Sequence, residues 1–409
     1  MSTYESSLLR LLDERGHIHQ VTDPVALDKL ANEQIVTAYV GFDPTAASLH
    51  IGNLASIMLL RRVQQAGHRP IVIMGGGTAK VGDPSGKDET RQMLTDAVLA
   101  SNITSIKDSF RKILRFDENA TGALLINNDD WLSKIGYIEL LREVGRHLTV
   151  NRMLTFDSVR LRLDREQPLT FLEFNYMIMQ AYDFVVLSRE YGCKLQLGGS
   201  DQWGNIVNGI ELARRIDGTE VYGVTAPLIT RSDGQKMGKS VSGAIWLNED
   251  MLPAYDFWQY WRNVDDRDVG RFLRLFTDLP LDEIKRLEAL EGAEINAAKV
   301  VLANEVTALV RGEDAAIRAE ATARETFAGS GAGEDLPSIA TGPDGIRLAA
   351  LLTDIGLTAS NGEAKRKLAE GAVKLDGETI TDPGYLVLPL EGTTLRISLG
   401  KKRHALVYR

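Results

Sequence analysis

Tyr39 to Asn53 reads Y-V-G-F-D-P-T-A-A-S-L-H-I-G-N, and its flanks decide how it folds. Before it, Ile35 to Val40 is β-branched and short enough to be a buried strand. After it, Leu54, Ile57 and Met58 recur at helical spacing. The stretch is predicted as strand, loop and helix N-terminus. Such a loop offers backbone N–H groups and the positive end of a helix dipole, where a phosphate can bind. His50 and Asn53 are three apart and can face one bound group, which Gly52 allows close to the backbone. Alone, H-x-G-N is weak evidence, because a single His at a helix start is more often a cap or a packed side chain.

Outward from this stretch the pattern repeats. A second strand, Ile71 to Met74, runs into Gly75-Gly76-Gly77, completing a βαβ unit and so predicting a parallel sheet, with ligands at the carboxyl ends of its strands. The glycines match neither a dinucleotide fingerprint nor a Walker loop. Gly82-Asp83-Pro84-Ser85-Gly86-Lys87, followed by Arg91, is turn chemistry at the same edge. Residues 123 to 127 form another strand, and 131 to 165 are expected to be helical. Tyr176, Gln180 and Asp183 fall at i, i+4 and i+7 of a helix over Thr170 to Phe184, which puts a phenol, an amide and a carboxylate on one face. They can pair within the core or recognise a ligand carrying an amino group and a phenol. Lys194 to Gly198 is a strand leading into Gly199-Ser200-Asp201-Gln202, so four loops converge on one sheet edge. Beyond the strand-like Val221 to Thr230, Lys236 to Ser240 reads K-M-G-K-S, a compact cationic patch suited to polyphosphate oxygens.

The chain has 409 residues, 44% hydrophobic and 25% charged, enough for two or three domains with a large core. Its only cysteine, Cys193, excludes an intrachain disulfide and fits a reducing compartment. An amphipathic N-terminus and the lack of any long apolar run suggest a cytoplasmic protein with no membrane contact. Cysteine and histidine spacing offers no structural zinc site, and no metal ligands are expected. The net charge of −9 argues against a broad nucleic-acid surface and gives no reason to expect DNA. Residues 346 to 409 nevertheless hold 10 Lys and Arg against 7 Asp and Glu, a net +3 that leaves −12 for the rest. A basic tail on an acidic body suggests one local polyanion contact.

H-x-G-N and K-M-G-K-S, joined by α/β pattern, resemble the two signatures of class I aminoacyl-tRNA synthetases, and the residues between them resemble the bacterial tyrosyl-tRNA synthetase family. The resemblance covers essentially the whole chain. It implies a Rossmann-like α/β catalytic domain over 1 to 247, an α-helical anticodon-side domain over 248 to 327, a Gly- and Pro-rich linker over 328 to 345, and an α+β S4-like RNA-binding domain over 346 to 409. In the last, a helix bearing Lys365-Arg366-Lys367 precedes a hairpin turning at Asp376-Gly377. Asn53 stands where the commonest family motif has a second histidine, Gly238 replaces a serine, and Ser240 stands where some members have threonine.

The family's reaction joins L-tyrosine to ATP, giving tyrosyl-adenylate and pyrophosphate, then passes tyrosyl to the terminal adenosine of tRNA(Tyr). By resemblance, Tyr39 and Asp183 would bond the phenolic hydroxyl, Asp83, Tyr176 and Gln180 the ammonium group, and Gln202 would lie beside the carboxylate. Thr45, His50 and Asn53 would meet the phosphates, Lys87 and Arg91 the departing pyrophosphate, and Lys236, Lys239 and Ser240 would close over it. Gly41, Asp43, Gly52, Gly199 and Asp201 would line the ATP side, with Asp201 on the ribose. ATP enters as a substrate carrying Mg2+, with no tightly bound cofactor. A homodimer through the Leu148 to Leu163 region is also expected. Rivals are a tryptophanyl-tRNA synthetase, an RNA-binding protein built on a retired synthetase, and another adenylating nucleotidyltransferase. Tyr39 and Asp183 speak against the first, and the intact polar set against the second. The basic tail is unaccounted for by the third.

Overall fold

The computed structural model describes residues 2–83, 94–230, 232, 234, 237, 239–240, 243–328, 336–400 and 403–409. Lys87, Arg91, Lys236 and Gly238 lie outside them, as do the side chains of Lys239 and Ser240. The chain divides into two compact units. The first comprises Met1–Gly238, Trp246–Asn248 and Asp265–Ile295, and the second Lys239–Ile245, Glu249–Val264 and Asn296–Arg409.

The first unit is built on six strands: β1 (Gln20–Val21), β2 (Thr37–Phe42), β3 (Arg69–Met74), β4 (Leu124–Asn127), β5 (Cys193–Gly199) and β6 (Tyr222–Ala226). Their order is β1-β6-β5-β2-β3-β4. Every neighbouring pair is parallel except β1 with β6. The chain moves outward from β2 through β3 to β4 and, on the other side, from β5 to β6, so the order reverses between β2 and β5. That crevice is where doubly wound sheets bind ligands. Both faces of β2 are covered, which is why its sequence is apolar without alternation; Gly41 is the exposed residue in it.

Helix Ile51–Gln65 follows β2 and buries Leu54, Ile57, Met58 and Leu60 against the sheet. Helix Phe171–Tyr191 starts at a Thr170 and Glu173 capping box and ends at Gly192, whose φ of +60° suits glycine. Its Phe184 packs edge-on against Tyr39 with ring centroids 5.2 Å apart.

Three expectations change. The region 131 to 165 is not one helical run but short pieces, Tyr137–Glu143, Val150–Met153 and Asp157–Asp164 among them, because Gly136, Thr149 and Phe156 take extended backbone between them. Helices Asp266–Phe276 and Leu281–Glu288, expected in one helical block with 248 to 327, belong to the first unit. Asp278, between them, ties them there by pairing with Arg61 and Arg62 of helix Ile51–Gln65. Ser338–Ala340, inside the expected linker, is a strand pairing parallel with Arg403–Tyr408.

In the second unit, helix Ala254–Arg262 buries Phe257, Trp258 and Trp261, and Trp258 Nε1 donates to Asn304 Oδ1 at 2.7 Å. The tail forms a five-stranded sheet over a core of Leu348, Leu352, Leu368, Val373, Ile397 and Val407. Its hairpin turns at Asp376 and Gly377 with φ of +46° and +88°, the sign pattern of a type I′ turn.

Candidate functional site

Loops from the carboxyl ends of β2, β3, β4 and β5 meet in one polar network. Asp43, just past β2, accepts from Tyr176 Oη at 3.2 Å and from Thr78 Oγ1 at 2.8 Å. Thr78 Oγ1 in turn accepts from Asn128 Nδ2 at 3.1 Å, and the same amide donates to Asp183 Oδ2 at 2.9 Å. Trp131 Nε1 donates to the other oxygen, Oδ1, at 2.8 Å. A second branch runs along the same face of helix Phe171–Tyr191: Gln180 Nε2 donates to Gln202 Oε1 at 3.3 Å, and Gln202 Nε2 to Asp83 Oδ2 at 3.1 Å. Gly75 allows this packing, since a Cβ there would lie 2.1 Å from Asp43 Oδ1.

The floor of the network carries an imbalance that a ligand hydroxyl would resolve. Tyr39 is 2% exposed and its Oη has no hydrogen-bond partner among the described residues. A buried phenol left so costs free energy. Its pKa is pushed well above the ordinary value, first by burial and then by the Asp183 charge. Asp183 itself is raised to about 7: burial dominates, the Asn128 and Trp131 donors oppose it, and the negative Asp43 adds to it.

The sign of the stability effect follows. Folded Asp183 keeps its proton up to about pH 7, whereas the unfolded chain releases it near pH 4, so stability from this group is full below the unfolded pKa and is lost as pH rises through 7. Urea unfolding of the ligand-free protein should therefore give an Asp183→Asn variant a flatter decline between pH 5 and 8 than the parent; equal slopes would refute the shifted titration.

His50 is the N-cap of helix Ile51–Gln65. Its Nδ1 accepts from Gly52 N at 3.0 Å, and Asn53 Oδ1 accepts from His50 N at 3.1 Å, a reciprocal capping box. Asn53 thus does through its carbonyl what a capping box requires. A Cβ on Gly52 would lie 2.8 Å from the His50 ring. Thr45 and Gly41 are exposed at this edge, and among the described residues beyond its chain neighbours nothing stands within 4 Å of where a Gly41 Cβ would be. Gly199, the last residue of β5, and Asp201, in the turn after it, flank the far side of the β2–β5 crevice. The chain past the lysine segment returns here: Leu247 N donates to Leu49 O at 2.7 Å and Asn248 N to Ser48 Oγ at 3.0 Å. Lys239–Ser240 pair with Gly243–Ala244 as a small hairpin in the second unit.

Sequence reasoning missed Thr78, Asn128 and Trp131. Asn128 directly follows a predicted strand, and that position was the available signal. No group of three or more metal-ligating side chains occurs among the described residues, and none of their helices is long and apolar enough to cross a membrane.

The family model for class I tRNA synthetases (W and Y) matches residues 31–328. The chain belongs to that family. It is 63% identical, over 100% of its length and 99% of the relative's, to a tyrosine–tRNA ligase of Novosphingobium aromaticivorans, and 57% identical over the same shares to one of Zymomonas mobilis. Among solved structures, a truncated mitochondrial tyrosyl-tRNA synthetase of Aspergillus nidulans superposes with a TM-score of 0.72 at 31% identity, covering 79% of this chain and 95% of that one. Within the class, the chain falls with the bacterial tyrosyl-tRNA synthetases.

Proposed function

We infer that the chain is a tyrosine–tRNA ligase, activating L-tyrosine with ATP to tyrosyl-adenylate and pyrophosphate and then transferring tyrosyl to the 3′-terminal adenosine of tRNA(Tyr). The observation that carries this is the buried pair at the pocket floor, the Asp183 carboxylate and the partnerless Tyr39 hydroxyl, which together want a ligand hydroxyl. The relatives' shared name supports it across the full length of the chain. An indole, with no oxygen at that depth, would leave the Tyr39 hydroxyl without a partner.

In this reading Asp83, Tyr176 and Gln180 bind the ammonium group and Gln202 sits beside the carboxylate. The substrate carboxylate attacks the α-phosphorus directly, and pyrophosphate leaves with the bridging electrons. No enzymic base is needed, so the protein contributes positioning and charge stabilisation. Thr45, His50 and Asn53 hold the phosphates at the helix N-terminus. Lys87, Arg91, Lys236, Lys239 and Ser240 contact the departing group, while Gly41, Asp43, Gly52, Gly199 and Asp201 line the nucleotide side. Mg2+ arrives on the ATP phosphates. Residues 346–409 act as an S4-like RNA-binding domain, 248–327 supply the anticodon side, and the protein works in the cytoplasm. A homodimer is supported by exposed Val150, Leu154, Leu161 and Leu163, and a single-chain mass in light scattering would count against it.

The test is exchange of pyrophosphate into ATP without tRNA, with tyrosine, tryptophan and phenylalanine in parallel. Exchange with tyrosine alone is expected. Exchange with tryptophan alone, or with none, would overturn the reading.

A further inference from the structure

Helix Asp266–Phe276 stands apart from the pocket, yet its first turns grip the segment that leads into K-M-G-K-S. Asp268 is 4% exposed. Its Oδ2 accepts the backbone N–H of Ser232 at 2.9 Å, and its Oδ1 accepts from Arg271 at 3.0 Å. The same guanidinium nitrogen of Arg271 donates to the Thr230 carbonyl. The helix does not need Asp268 as its own cap, because Asp265 fills that role by accepting from Arg267 N at 3.0 Å. A buried carboxylate spent on another segment's backbone fixes that segment's position.

Thr230 and Ser232 follow β6, and buried Met237 returns to the same place, donating its N–H to Ile229 O at 2.9 Å. The helix is equally anchored at its far end. Arg15 donates to Thr277 O at 2.8 Å and Arg62 to Thr277 O at 2.6 Å. Arg62 lies on helix Ile51–Gln65, the helix capped by His50. One strut thus joins the stem of one signature to the helix that carries the other.

We propose that Asp268 and Arg271 are positioning residues for adenylate formation, fixing Thr230 and Ser232, and with them the approach to K-M-G-K-S, against the helix of His50. The proposal rests on the tyrosine–tRNA ligase reading. A small displacement of phosphate-binding groups is enough to cost a large factor in rate.

The experiment measures tyrosine-dependent pyrophosphate exchange per active site, sites being counted by the adenylate burst, alongside tyrosine affinity by equilibrium dialysis without ATP. Asp268→Ala should lower the rate per site by about tenfold while tyrosine affinity stays within about twofold. Asp268→Asn, which keeps a carbonyl acceptor for Ser232 N, should recover to within about threefold of the parent. Arg271→Met removes a half-exposed group and should lower the rate per site in the same direction as Asp268→Ala. Rates per site within twofold of the parent in both Asp268→Ala and Arg271→Met, or tyrosine affinity falling in step with rate, would overturn the proposal. Loss of active sites at an unchanged rate per site would mark a merely structural role and overturn it too. The parent's own exchange reports on the underlying reading separately.

Discussion

Asp183→Ala is expected to lower kcat/KM for tyrosine by about 10²-fold or more, with a much smaller loss for phenylalanine. The carboxylate is 3% exposed and accepts from Asn128 and Trp131, so it is held in place by donors from the β4 edge. Above pH 7, where Asp183 is ionised, a hydrogen bond to it contributes about 1.5–3 kcal/mol, and each buried donor left unpaired costs about 1–3 kcal/mol more. Alanine removes the acceptor and strands two donors, the substrate phenol and Trp131 Nε1, while Asn128 Nδ2 keeps only its bond to Thr78 Oγ1. Phenylalanine never used the acceptor, so its activation should change little and the tyrosine-to-phenylalanine ratio should collapse. Pyrophosphate exchange with both amino acids measures that ratio. A ratio equal to the parent's, even with both rates reduced, would show that Asp183 supports the pocket without reading the hydroxyl.

The half of the polar network on helix Phe171–Tyr191 was legible because its signals are local. Tyr176, Gln180 and Asp183 share a face by helical period alone, and β2, β3 and β5 announce their carboxyl ends with glycine. The hairpin at Asp376-Gly377 is equally local, since its positive φ values demand those residue types. The supporting half was not legible. Asn128 and Trp131 reach Asp183 across 55 and 52 residues of chain, and only the sheet order, which places β4 beside β3, brings them there.

Short or composition-poor elements failed for a related reason. β1 has two residues and exists because β6 offers an edge to pair with, which no periodicity in Gln20–Val21 could announce. Ser338–Ala340 sits between glycines and prolines whose turn chemistry outweighs three residues of strand, and its pairing partner lies near the C-terminus. The assignment of helix Asp266–Phe276 to the first unit likewise rests on long-range contacts, among them those of Asp278, whose partners are over two hundred residues earlier.

That acid carries the largest expected effect on stability. Arg62 is 0% exposed, and Asp278 accepts from it and from Arg61, while Arg15 crowds the same carbonyls with a second buried positive charge. Burial alone would raise the Asp278 pKa, but Arg61 and Arg62 outweigh it and hold the carboxyl below its usual range. The stabilisation is therefore present above the unfolded pKa and is lost as pH falls through the lower folded value. Removing one partner of a buried pair costs about 3–5 kcal/mol because the other charge stays buried. Arg62 keeps Thr277 O and Gln65 Oε1, and Asp278 is one-third exposed, so Asp278→Ala should fall near the lower bound, about 3 kcal/mol. Asp278→Asn keeps an acceptor and should cost less. Urea unfolding followed by circular dichroism at neutral pH would show the loss as a lowered midpoint. A loss under about 1 kcal/mol would mean that the carbonyl and amide acceptors alone satisfy Arg62. At temperatures where the variant stays folded, tyrosine affinity should be unchanged, because the cluster lies at the opposite end of helix Ile51–Gln65 from His50.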